Sequence, residues 1–588
     1  MPESLREQDL TPRQRKPQRK FVFGGKWGKV SSIVSRSRTR ISIMALEHHP
    51  IAFPKLDDEQ IVALGKFAKL KAFQAGETLF AEGTPNYQFF AIKRGEVAIV
   101  DRSSGHDRIV TIHEPGEFTG DVDILTGRPA VVRAIAHSNC KVYEIAADDL
   151  RRILNEMPRL SDVLLRAFLM RCQLLEESGF VAVRVVGSRY SPETHRIREF
   201  LAKNKVPFTW IDLENDPQVD TLLTQFRISE DETPVVICGN DKLLKNPSMA
   251  ELADCLGIKK PIEHTIYDLV VVGAGPAGLA AAIYGASEGL KTLVLDKMGP
   301  GGQAGSSSKI ENYMGFPTGL SGSDLANRAA IQAEKFGAIL TAPAEVVQLS
   351  RETGYYALRL ESGEEISAKC ILICAGASYR KLAVEGYDRF EGSGIYYAAT
   401  TVEALLCQDA QVVVVGGGNS AGQAAVFLSE QTQKVFLLIR GGDLGKTMSH
   451  YLVQRIEQTP NIEVQCYTEI CKMYGNKWLE AVEVFCSQTG QADTIKCLAI
   501  FVFIGAVPHT KWLPEAIQCD RNGFVKTGLR VMESGEWTLR RQPFLLETSL
   551  PGIFAAGDVR LGSIKRVASA VGEGAMAVQF VHEYLASS

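Results

Sequence analysis

Two glycine-rich segments carry the residues best suited to chemistry in this 588-residue chain. In the first, DLVVVGAGPAGLAAAIYGASEGLKTLVLD, Gly273, Gly275 and Gly278 follow a buried-type strand in G-x-G-x-x-G spacing. The first glycine permits a tight turn, the second lets the backbone approach a pyrophosphate, and the third allows a helix to pack closely on the strand. Asp296 ends the next strand, where a carboxylate accepts hydrogen bonds from ribose hydroxyls. The segment therefore predicts a dinucleotide site with the pyrophosphate at a helix N-terminus.

The second segment, QVVVVGGGNSAGQAAVFLSEQTQKVFLLIRGGD, repeats this design. Gly416, Gly418 and Ala421 occupy the G-x-G-x-x-A positions, but the following strand ends at Arg440 and not at an acid. Because an arginine can pair with a 2′-phosphate, this site is predicted to prefer NADPH to NADH, with Lys446 as a second cation. The alternative is that Arg440 is a solvated strand end.

The elements that position these segments fall into a multidomain chain. The predicted fold class is an N-terminal β jelly-roll with helices, a thioredoxin-like α/β domain, and two Rossmann-like FAD/NAD(P) α/β domains. The divisions are a basic tail (1–44), an N-terminal block (45–178), a middle block (180–260), a first nucleotide block split into 262–388 and 511–588, and a second nucleotide block (389–510).

Composition narrows the class of protein. A formal net charge of −3 argues against a general polyanion binder. No apolar run approaches the ~20 residues of a membrane helix, so no membrane partner is predicted. The twelve cysteines include no C-x-x-C pair, which favours buried thiols in a reducing, cytoplasmic compartment and argues against a metal site.

The tail differs from the rest of the chain. It contains QRKPQRK and SRSRTR, with few acids and little apolar periodicity. Such a segment is typical of disorder, or of an extension that precedes a true start at Met44. An Arg/Ser-rich transit peptide is the alternative.

Further motifs along 266–588 support a family resemblance: GAGPAG, GGQ at 301–303, IENYMGFP at 310–317, CAGA at 374–377, GGGNSA and GIFAAGDV. This region resembles the thioredoxin reductase branch of flavoproteins with two dinucleotide domains. The resemblance implies that the first nucleotide block binds FAD and the second binds NADPH, with hydride transfer from nicotinamide to flavin and no acid–base catalytic pair.

The same resemblance implies roles for individual residues. Asp558 would hold the ribityl chain of FAD, and the segment at 565–567 would lie beside the isoalloxazine ring at the start of a helix. The remaining residues implied at FAD are Pro276, Ala277, Lys297, Gly302, Gln303, Asn312, Gly376, Gly557, Lys565, Arg566 and Val567. At the second turn, Asn419 and Ser420 would contact NADPH.

One expected feature is missing. Thioredoxin reductases carry a reactive C-x-x-C before the second glycine turn, and alignment through GIYYAATT places Ala398 and Thr401 at the two cysteine positions. Neither these side chains nor Thr400 can carry electrons, because that chemistry needs a thiolate. Cys374 and Cys407 are predicted to be structural, since neither has a resolving partner at suitable spacing.

The middle block resembles a glutaredoxin that has lost its dithiol. The tetrapeptide SPET at 191–194 stands where the dithiol opens the first helix, and TPV at 233–235 matches the segment that carries a cis-proline. The resemblance implies an adaptor or docking module. A catalytic domain and an unrelated α/β fold are the alternatives.

The N-terminal block resembles a cyclic-nucleotide-binding domain through GEFTGDVDILTGRPAVVRAIAHS. Gly120 and Asp121 match the Gly-Glu of its phosphate-binding cassette, and Arg128 matches the arginine after a two-residue deletion. The resemblance implies a cyclic nucleotide such as cyclic AMP as ligand. The alternative is a jelly-roll kept for homodimerisation through a helix at 147–178. No helix-turn-helix pattern follows, so DNA binding is excluded.

Together these features predict an FAD-dependent NADPH oxidoreductase without its own redox dithiol. Reduced flavin would pass electrons to a protein or small-molecule acceptor, under control of a cyclic nucleotide. A redox or cyclic-nucleotide sensor with little turnover is one alternative, and an enzyme like ferredoxin–NADP reductase is another.

Overall fold

The computed structural model describes residues 50–102, 107–177, 183–216, 219, 228–229, 232–238, 242–307, 309–391, 393–399, 401–476, 478–535, 537 and 539–587. His49–Ser588 form one compact unit, and every element named below lies within it. The predictions for the basic tail lie outside the described residues, as does most of the helix predicted from VDTLLTQF. None of the described helices combines the length and apolar character needed to cross a membrane.

Two antiparallel sheets form the N-terminal block, because apolar residues on facing strands share one core. The sheet orders are β1-β7-β3 and β2-β6-β4-β5. Phe89, Phe118 and Phe168 are fully buried in the core of this block, with ring centroids 5.5–6.3 Å apart. The elements are α1 (Asp58–Gly65), β1 (Lys69–Phe73), β2 (Thr78–Phe80), β3 (Phe89–Arg94), β4 (Val97–Asp101), β5 (Arg108–His113), α2 (Asp123–Thr126), β6 (Arg133–Ala136), β7 (Cys140–Ile145), α3 (Ala147–Glu156) and α4 (Pro158–Glu177).

The helix predicted at 147–178 is in fact two helices. The chain leaves helical geometry at Met157, with φ −124° and ψ 81°. Pro158 then begins α4, since proline lacks the N–H that a continuous helix would need but suits a first helical turn.

A pH-dependent element lies in this block. His113 is 2% exposed, and burial lowers its imidazole pKa to about 4, even though Glu117 Oε2 lies 3.2 Å from Nδ1. The unfolded chain takes up a proton near the ordinary pKa of 6.5, whereas the folded chain resists it. Protonation of His113 in the unfolded chain therefore leaves the free energy of unfolding unchanged above pH 6.5 and lowers it as pH falls from 6.5 towards 4.

We expect His113→Gln to flatten this dependence. Wild type should lose about 2 kcal/mol more unfolding free energy than the variant between pH 7.5 and pH 5. Burial raises the pKa of Asp123 to about 7. This carboxyl changes the unfolding free energy with pH in the opposite direction, but it does so equally in wild type and in the variant. Denaturant unfolding at the two pH values measures the difference, and parallel losses would contradict the assignment.

The middle block is a four-stranded mixed sheet of order β11-β10-β8-β9. Strands β8 and β9 are parallel, while β10 runs antiparallel to β8 and to β11. The Thr233–Pro234 bond before β10 is cis, as the resemblance implied. Strand β11 was not predicted. The elements are β8 (Val183–Gly187), α5 (Pro192–Lys203), β9 (Phe208–Asp212), β10 (Val235–Cys238), β11 (Lys242–Lys245) and α6 (Met249–Leu256).

The first nucleotide block starts with a parallel sheet whose strands are apolar on both faces. Strands β14, β13, β12 and β17 are neighbours in parallel, and an antiparallel β16–β15 hairpin extends from β17. Its elements before the inserted block are β12 (Ile266–Val272), α7 (Pro276–Ser287), β13 (Thr292–Leu295), a 3₁₀ turn (Ala304–Ser306), α8 (Gly322–Lys335), β14 (Ile339–Thr341), β15 (Val346–Arg351), β16 (Tyr356–Leu360), β17 (Glu365–Ile373) and β18 (Ala377–Tyr379).

The second nucleotide block has a five-stranded parallel sheet, β19-β26-β20-β21-β22, and an antiparallel sheet, β23-β24-β25. Its elements are α9 (Tyr387–Phe390), β19 (Ile395–Tyr396), α10 (Thr401–Leu406), β20 (Gln411–Val415), α11 (Asn419–Ser429), β21 (Lys434–Ile439), a 3₁₀ turn (Leu444–Lys446), α12 (His450–Glu457), β22 (Ile462–Cys466), β23 (Thr468–Gly475), β24 (Leu479–Cys486), β25 (Gln491–Lys496) and β26 (Ala499–Val502).

The chain then returns to the first nucleotide block. A short antiparallel pair, β18 with β27, joins the outgoing and returning segments, and β28 pairs in parallel with β17. The returning elements are β27 (Ala506–Pro508), a 3₁₀ segment (Gly528–Ser534), β28 (Ile553–Ala555), a 3₁₀ turn (Gly557–Val559) and α13 (Val567–Ser587).

Candidate functional site

The turn between β12 and α7 has the close approaches that its glycines predict. Gly273 has φ +110°, and a Cβ there would lie 2.2 Å from the Cys374 carbonyl oxygen. A Cβ on Gly278 would lie 1.9 Å from the Gly273 carbonyl oxygen. Gly275 caps α7, with Pro276 in its first turn. The first helical N–H groups are therefore presented at the carboxyl ends of the parallel strands, where this type of sheet binds nucleotides.

Asp296 organises the loop after β13. Its Oδ2 accepts a hydrogen bond from the Ala274 N–H at 2.8 Å, and its Oδ1 accepts from the N–H groups of Met298 and Gly299, both at 2.9 Å. The adjacent Lys297 Nζ lies 3.3 Å from His509 Nε2. The predicted ribose acceptor thus also ties the loop after β13 to the glycine turn.

A second loop meets the glycine turn. The Gly301 N–H donates to the Ala274 carbonyl at 2.8 Å, and a Cβ on Gly302, whose φ is +53°, would lie 3.0 Å from the Gly275 Cα. Gln303 Nε2 donates to the Ala377 carbonyl. Gly376, with φ +66°, immediately precedes that residue. The structure therefore gathers the predicted residues of the GGQ and CAGA motifs at one edge of the sheet.

Asn312 stands apart from this cluster on an exposed loop. Its neighbour Glu311 pairs with Arg455 Nη1 at 2.8 Å, which links this loop to α12 of the second nucleotide block.

The turn at Gly557–Val559 lies against the start of α7. A Cβ on Gly557 would be 3.2 Å from the Ala277 Cβ, and a Cβ on Gly574 of α13 would be 2.0 Å from the Ala277 carbonyl oxygen. Two helices therefore cross with almost no space between their backbones. Burial raises the pKa of the Asp558 carboxyl, which follows Gly557.

A residue that the sequence motifs did not indicate holds this turn. Glu573 Oε2 accepts from the Gly557 N–H at 2.7 Å and from Arg560 Nε at 3.2 Å, while Oε1 accepts from Arg560 Nη2. Glu573 is 9% exposed. Glu573 lies in the first half of α13 and belongs to no recognised motif. Only the tertiary fold brings it to the turn.

The residues just before α13 are open to solvent. Lys565 Nζ lies 4.9 Å from the centre of the Phe524 ring, and Arg566 is exposed. Val567 is the first residue of the helix. The N-terminus of this helix, the positive end of its dipole, therefore lies next to the residues predicted to contact the flavin.

The second glycine turn is built in the same manner. Gly416 has φ +141°, and a Cβ there would lie 2.4 Å from the Phe503 carbonyl oxygen. Gly418 caps α11 and has open space around its Cα, while Ala421 is fully buried. Ser420 is exposed beside it.

A serine missed by motif analysis fixes the asparagine of this turn. Asn419 Oδ1 accepts from the Ser449 N–H at 2.7 Å and from Ser449 Oγ at 2.9 Å. The Arg440 side chain is 77% exposed and lies 3.8 Å from Glu469, and Lys446 is exposed. Both predicted cations are therefore accessible to a phosphate group.

The glycine turns, the carboxyl ends of the strands and the helix N-termini fit two dinucleotides. At the first turn, a Cβ on Gly273 or Gly278 would clash with a backbone carbonyl oxygen, so the tight strand–turn–helix geometry requires glycine at both positions. At the second, space around Gly418 and the exposed cations suit a phosphorylated ribose. The residues present thus fit one dinucleotide in each nucleotide block, in line with the FAD and NADPH that the resemblance implies.

The face that carries residues 394–407 is covered by the middle block. The rings of Tyr190 and Trp478 stack with centroids 4.7 Å apart and planes 23° apart. His195 Nε2 lies 3.6 Å from Glu403 Oε1. The SPET tetrapeptide at 191–194 therefore lies between two residues, Tyr190 and His195, that contact the second nucleotide block.

Trp210 extends this contact. It packs against the apolar core of the second nucleotide block, and the Arg198 guanidinium lies 3.9 Å from its ring centre. Ala398 lies just before α10, whose first residue is Thr401; Thr400 lies outside the described residues.

The cysteines show no disulfide among the described residues, where all twelve are free. Burial raises the pKa of Cys374, and raises that of Cys407 to about 12. The thiols of Cys238 and Cys255 interact in the middle block, where burial and this neighbour raise the pKa of Cys238. Raised pKa values disfavour the thiolate that redox relay requires.

The cassette residues of the N-terminal block are tied into its interior. Asp121 Oδ1 accepts from the Tyr87 hydroxyl and from the Asp123 N–H, both at 2.8 Å. The buried Arg171 donates to the Gly120 carbonyl at 2.5 Å and also to the carbonyls of Phe118 and Ala52. Arg128 follows α2 and lines a cavity between this block, the middle block and the first nucleotide block.

Comparison with known proteins follows this division of the chain. A family model described as pyridine nucleotide-disulphide oxidoreductase matches residues 267–574. A model described as cyclic nucleotide-binding domain matches residues 70–157.

Curated relatives cover the second half. Thioredoxin reductase of Treponema pallidum (strain Nichols) is 33% identical over 322 residues, which is 55% of this chain and 98% of that protein. Thioredoxin reductase of Bacillus subtilis (strain 168) is 31% identical over 324 residues, covering 55% and 96%. The crystal structure of Lactococcus lactis thioredoxin reductase (FR conformation) has 28% identity and a TM-score of 0.49, covering 55% of this chain and 100% of that chain.

Proposed function

The chain belongs to the pyridine nucleotide-disulphide oxidoreductase family, and we propose that it passes electrons from NADPH through FAD to an acceptor without a redox dithiol of its own. It is a thioredoxin-reductase-like, NAD(P)H-dependent flavin oxidoreductase, and members of this type use FAD and NADPH. Bound FAD supplies two-electron uptake and one- or two-electron release. The absence of a dithiol and the choice of acceptor are the parts we propose.

The single observation that carries the proposal is the pair Ala398 and Thr401 at the thiol positions. Neither side chain can form a disulfide. The middle block also covers this face through Tyr190 and His195, so an external thioredoxin would have to displace it. Electrons would therefore leave from the flavin edge.

We propose roles for the residues around the flavin accordingly. Gly273, Gly275 and the first turn of α7 would bind the pyrophosphate. Asp558, fixed through its neighbour Gly557 by Glu573, would orient the ribityl chain. The start of α13 would favour negative charge on the reduced ring.

We also propose that the divisions at 45–178, 180–260, 262–388 with 511–588, and 389–510 mark separate functional units. The middle block would act as a docking module. The N-terminal block would adjust activity when it binds a cyclic nucleotide, consistent with its family match.

The test asks whether turnover depends on a thiol. After reduction by NADPH, the protein is treated with iodoacetamide, and NADPH oxidation is then followed with ferricyanide or a quinone as acceptor. We expect less than about a twofold change, because an obligatory thiolate would be alkylated but an isoalloxazine would not. A thioredoxin reductase with an intact C-x-x-C, assayed with thioredoxin, is the positive control.

Loss of turnover after alkylation would contradict the proposal. A variant with Cys238→Ser and Cys255→Ser would then show whether the middle-block thiols are responsible. Reduction of thioredoxin by the untreated protein would contradict it as well. Steady turnover with any acceptor would exclude the alternative of a sensor without activity.

A further inference from the structure

A cavity of about 180 Å³ lies where three blocks meet. One wall belongs to the first nucleotide block, one to the segment after α5 in the middle block, and one to the cassette of the N-terminal block. A single water needs about 10–15 Å³ by this measure, so the cavity has room for roughly a dozen waters. That is the size of an organic ligand and not of an ion.

The wall from the first nucleotide block consists of strand ends. Ala274 follows β12, Asp296 follows β13, Thr341 ends β14 and Ala342 comes next. These are the carboxyl ends of three adjacent parallel strands. In a sheet of this kind, the nucleoside of a dinucleotide lies in the crevice outside those ends.

The middle block fixes the loop that borders this crevice. Asn204 Nδ2 donates to the Met298 carbonyl at 2.8 Å and to the Phe200 carbonyl at 2.9 Å. Asn204 is 2% exposed, and a Cβ on Gly299 would lie 2.8 Å from its Nδ2. A residue of the middle block therefore fixes the conformation of the loop after Asp296, which belongs to the first nucleotide block.

Most charges around the cavity already have partners. Lys260 pairs with Glu334, Lys203 with Glu199 at 2.9 Å, and Lys205 with Asp324 at 3.2 Å.

The acids from two blocks are also engaged. Asp121 accepts from Tyr87 and from the Asp123 N–H, and Asp296 accepts from three backbone N–H groups.

Arg128 is the exception at this cavity. It is half-buried, and within the described part of the chain its guanidinium makes no hydrogen bond or ion pair. Its charge interacts with the carboxyl of Asp123, whose pKa is raised to about 7, chiefly by burial. A planar cation with five donors therefore lines a nucleoside-sized space without a hydrogen-bond or ion-pair partner among the described residues.

We propose that this cavity holds the adenosine half of FAD and that Arg128 binds it from the cassette side. The N-terminal block is then a wall of the flavin site, and Arg128 serves the flavin nucleotide, so a cyclic nucleotide would bind this block without that arginine. Asn204 is a positioning residue for the same site. This inference rests on the proposed FAD site of the first nucleotide block.

The test is FAD affinity of the full-length protein. Apoprotein is titrated with FAD, and binding is followed by quenching of flavin fluorescence. Arg128→Ala should weaken FAD binding by about 10-fold or more, because a charge-assisted hydrogen bond is lost. Asn204→Ala should act in the same direction. In both variants, affinity for 2′,5′-ADP at the second glycine turn should not change, which shows that the protein is folded.

Arg166→Ala is the matched control, since Arg166 is an exposed arginine of the same block, paired with Asp162 at 2.9 Å. It should keep FAD affinity within about twofold of wild type. If Arg128→Ala also stays within that range, the proposal is wrong. The proposal is also wrong if Arg128→Ala weakens cyclic AMP binding and leaves FAD binding unchanged, because the cavity would then bind the cyclic nucleotide. A wild-type chain that binds no FAD would instead contradict the proposed function.

Discussion

Gly574→Ala should strip flavin from the protein. The new Cβ would lie 2.0 Å from the Ala277 carbonyl oxygen and 2.8 Å from its carbon, so α13 and α7 must separate. Overpacking of this kind costs about 3 kcal/mol, and if the whole cost falls on the flavin-bound state, FAD binding weakens roughly 100-fold. The flavin content of the purified protein, from its 450 nm and 280 nm absorbance, measures this directly.

Gly572→Ala is the control in the same helix. A Cβ at that position would meet no atom within 4 Å, and alanine favours a helix over glycine. Its flavin content should match wild type, with equal or higher thermal stability. Flavin loss in both variants, or in neither, would show that the contact with Ala277 does not govern the site.

Glu573→Ala should have the second large effect. The change leaves the buried Gly557 N–H without an acceptor and Arg560 without its carboxylate. Removing one partner of a buried ion pair costs about 3–5 kcal/mol. The turn that carries Asp558 should loosen, so we expect FAD to dissociate at least 10-fold faster, which released-flavin fluorescence measures.

Two substitutions locate the cause. Glu573→Gln keeps an acceptor for the Gly557 N–H and should fall between wild type and alanine. Glu583→Ala removes an exposed acid from the same helix, where Glu583 contacts Gln579 at 3.2 Å, and should change nothing. Equal flavin release from the alanine and glutamine variants would mean that Arg560, and not the turn, is the partner that matters.

Local chain geometry explains what could be predicted from sequence. The positive φ of Gly273 and the tight packing of Gly278 follow from residues within one strand–turn–helix unit. The same holds for Gly416 and for the cap at Gly418. Such features need no knowledge of distant segments, which is why the two turns were found from spacing alone.

Other features depend on contacts between distant segments. Glu573 reaches Gly557 only because α13 packs across α7, and Asn204 reaches Met298 across 94 residues of sequence. No spacing rule indicates such pairs. The single helix predicted at 147–178 was wrong, because Pro158 begins a second helix there.

The role of Asp296 combines a local and a non-local part. Its position at the end of β13 predicts an acceptor for ribose, which stays a prediction, and its side chain lines the cavity between the three blocks. Its bonds to three backbone N–H groups were not predicted, because they require the loop at 296–300 to fold back over the strand end.

The stacking of Tyr190 on Trp478 affects how tightly an outside protein must bind to occupy the same face. A tethered module is present at a local concentration on the order of millimolar, whereas a free partner in a cell is far more dilute. A competitor for the same face must therefore bind orders of magnitude more tightly than the built-in occupant. Under the proposed function, small diffusible oxidants would need only the flavin edge and would escape that competition.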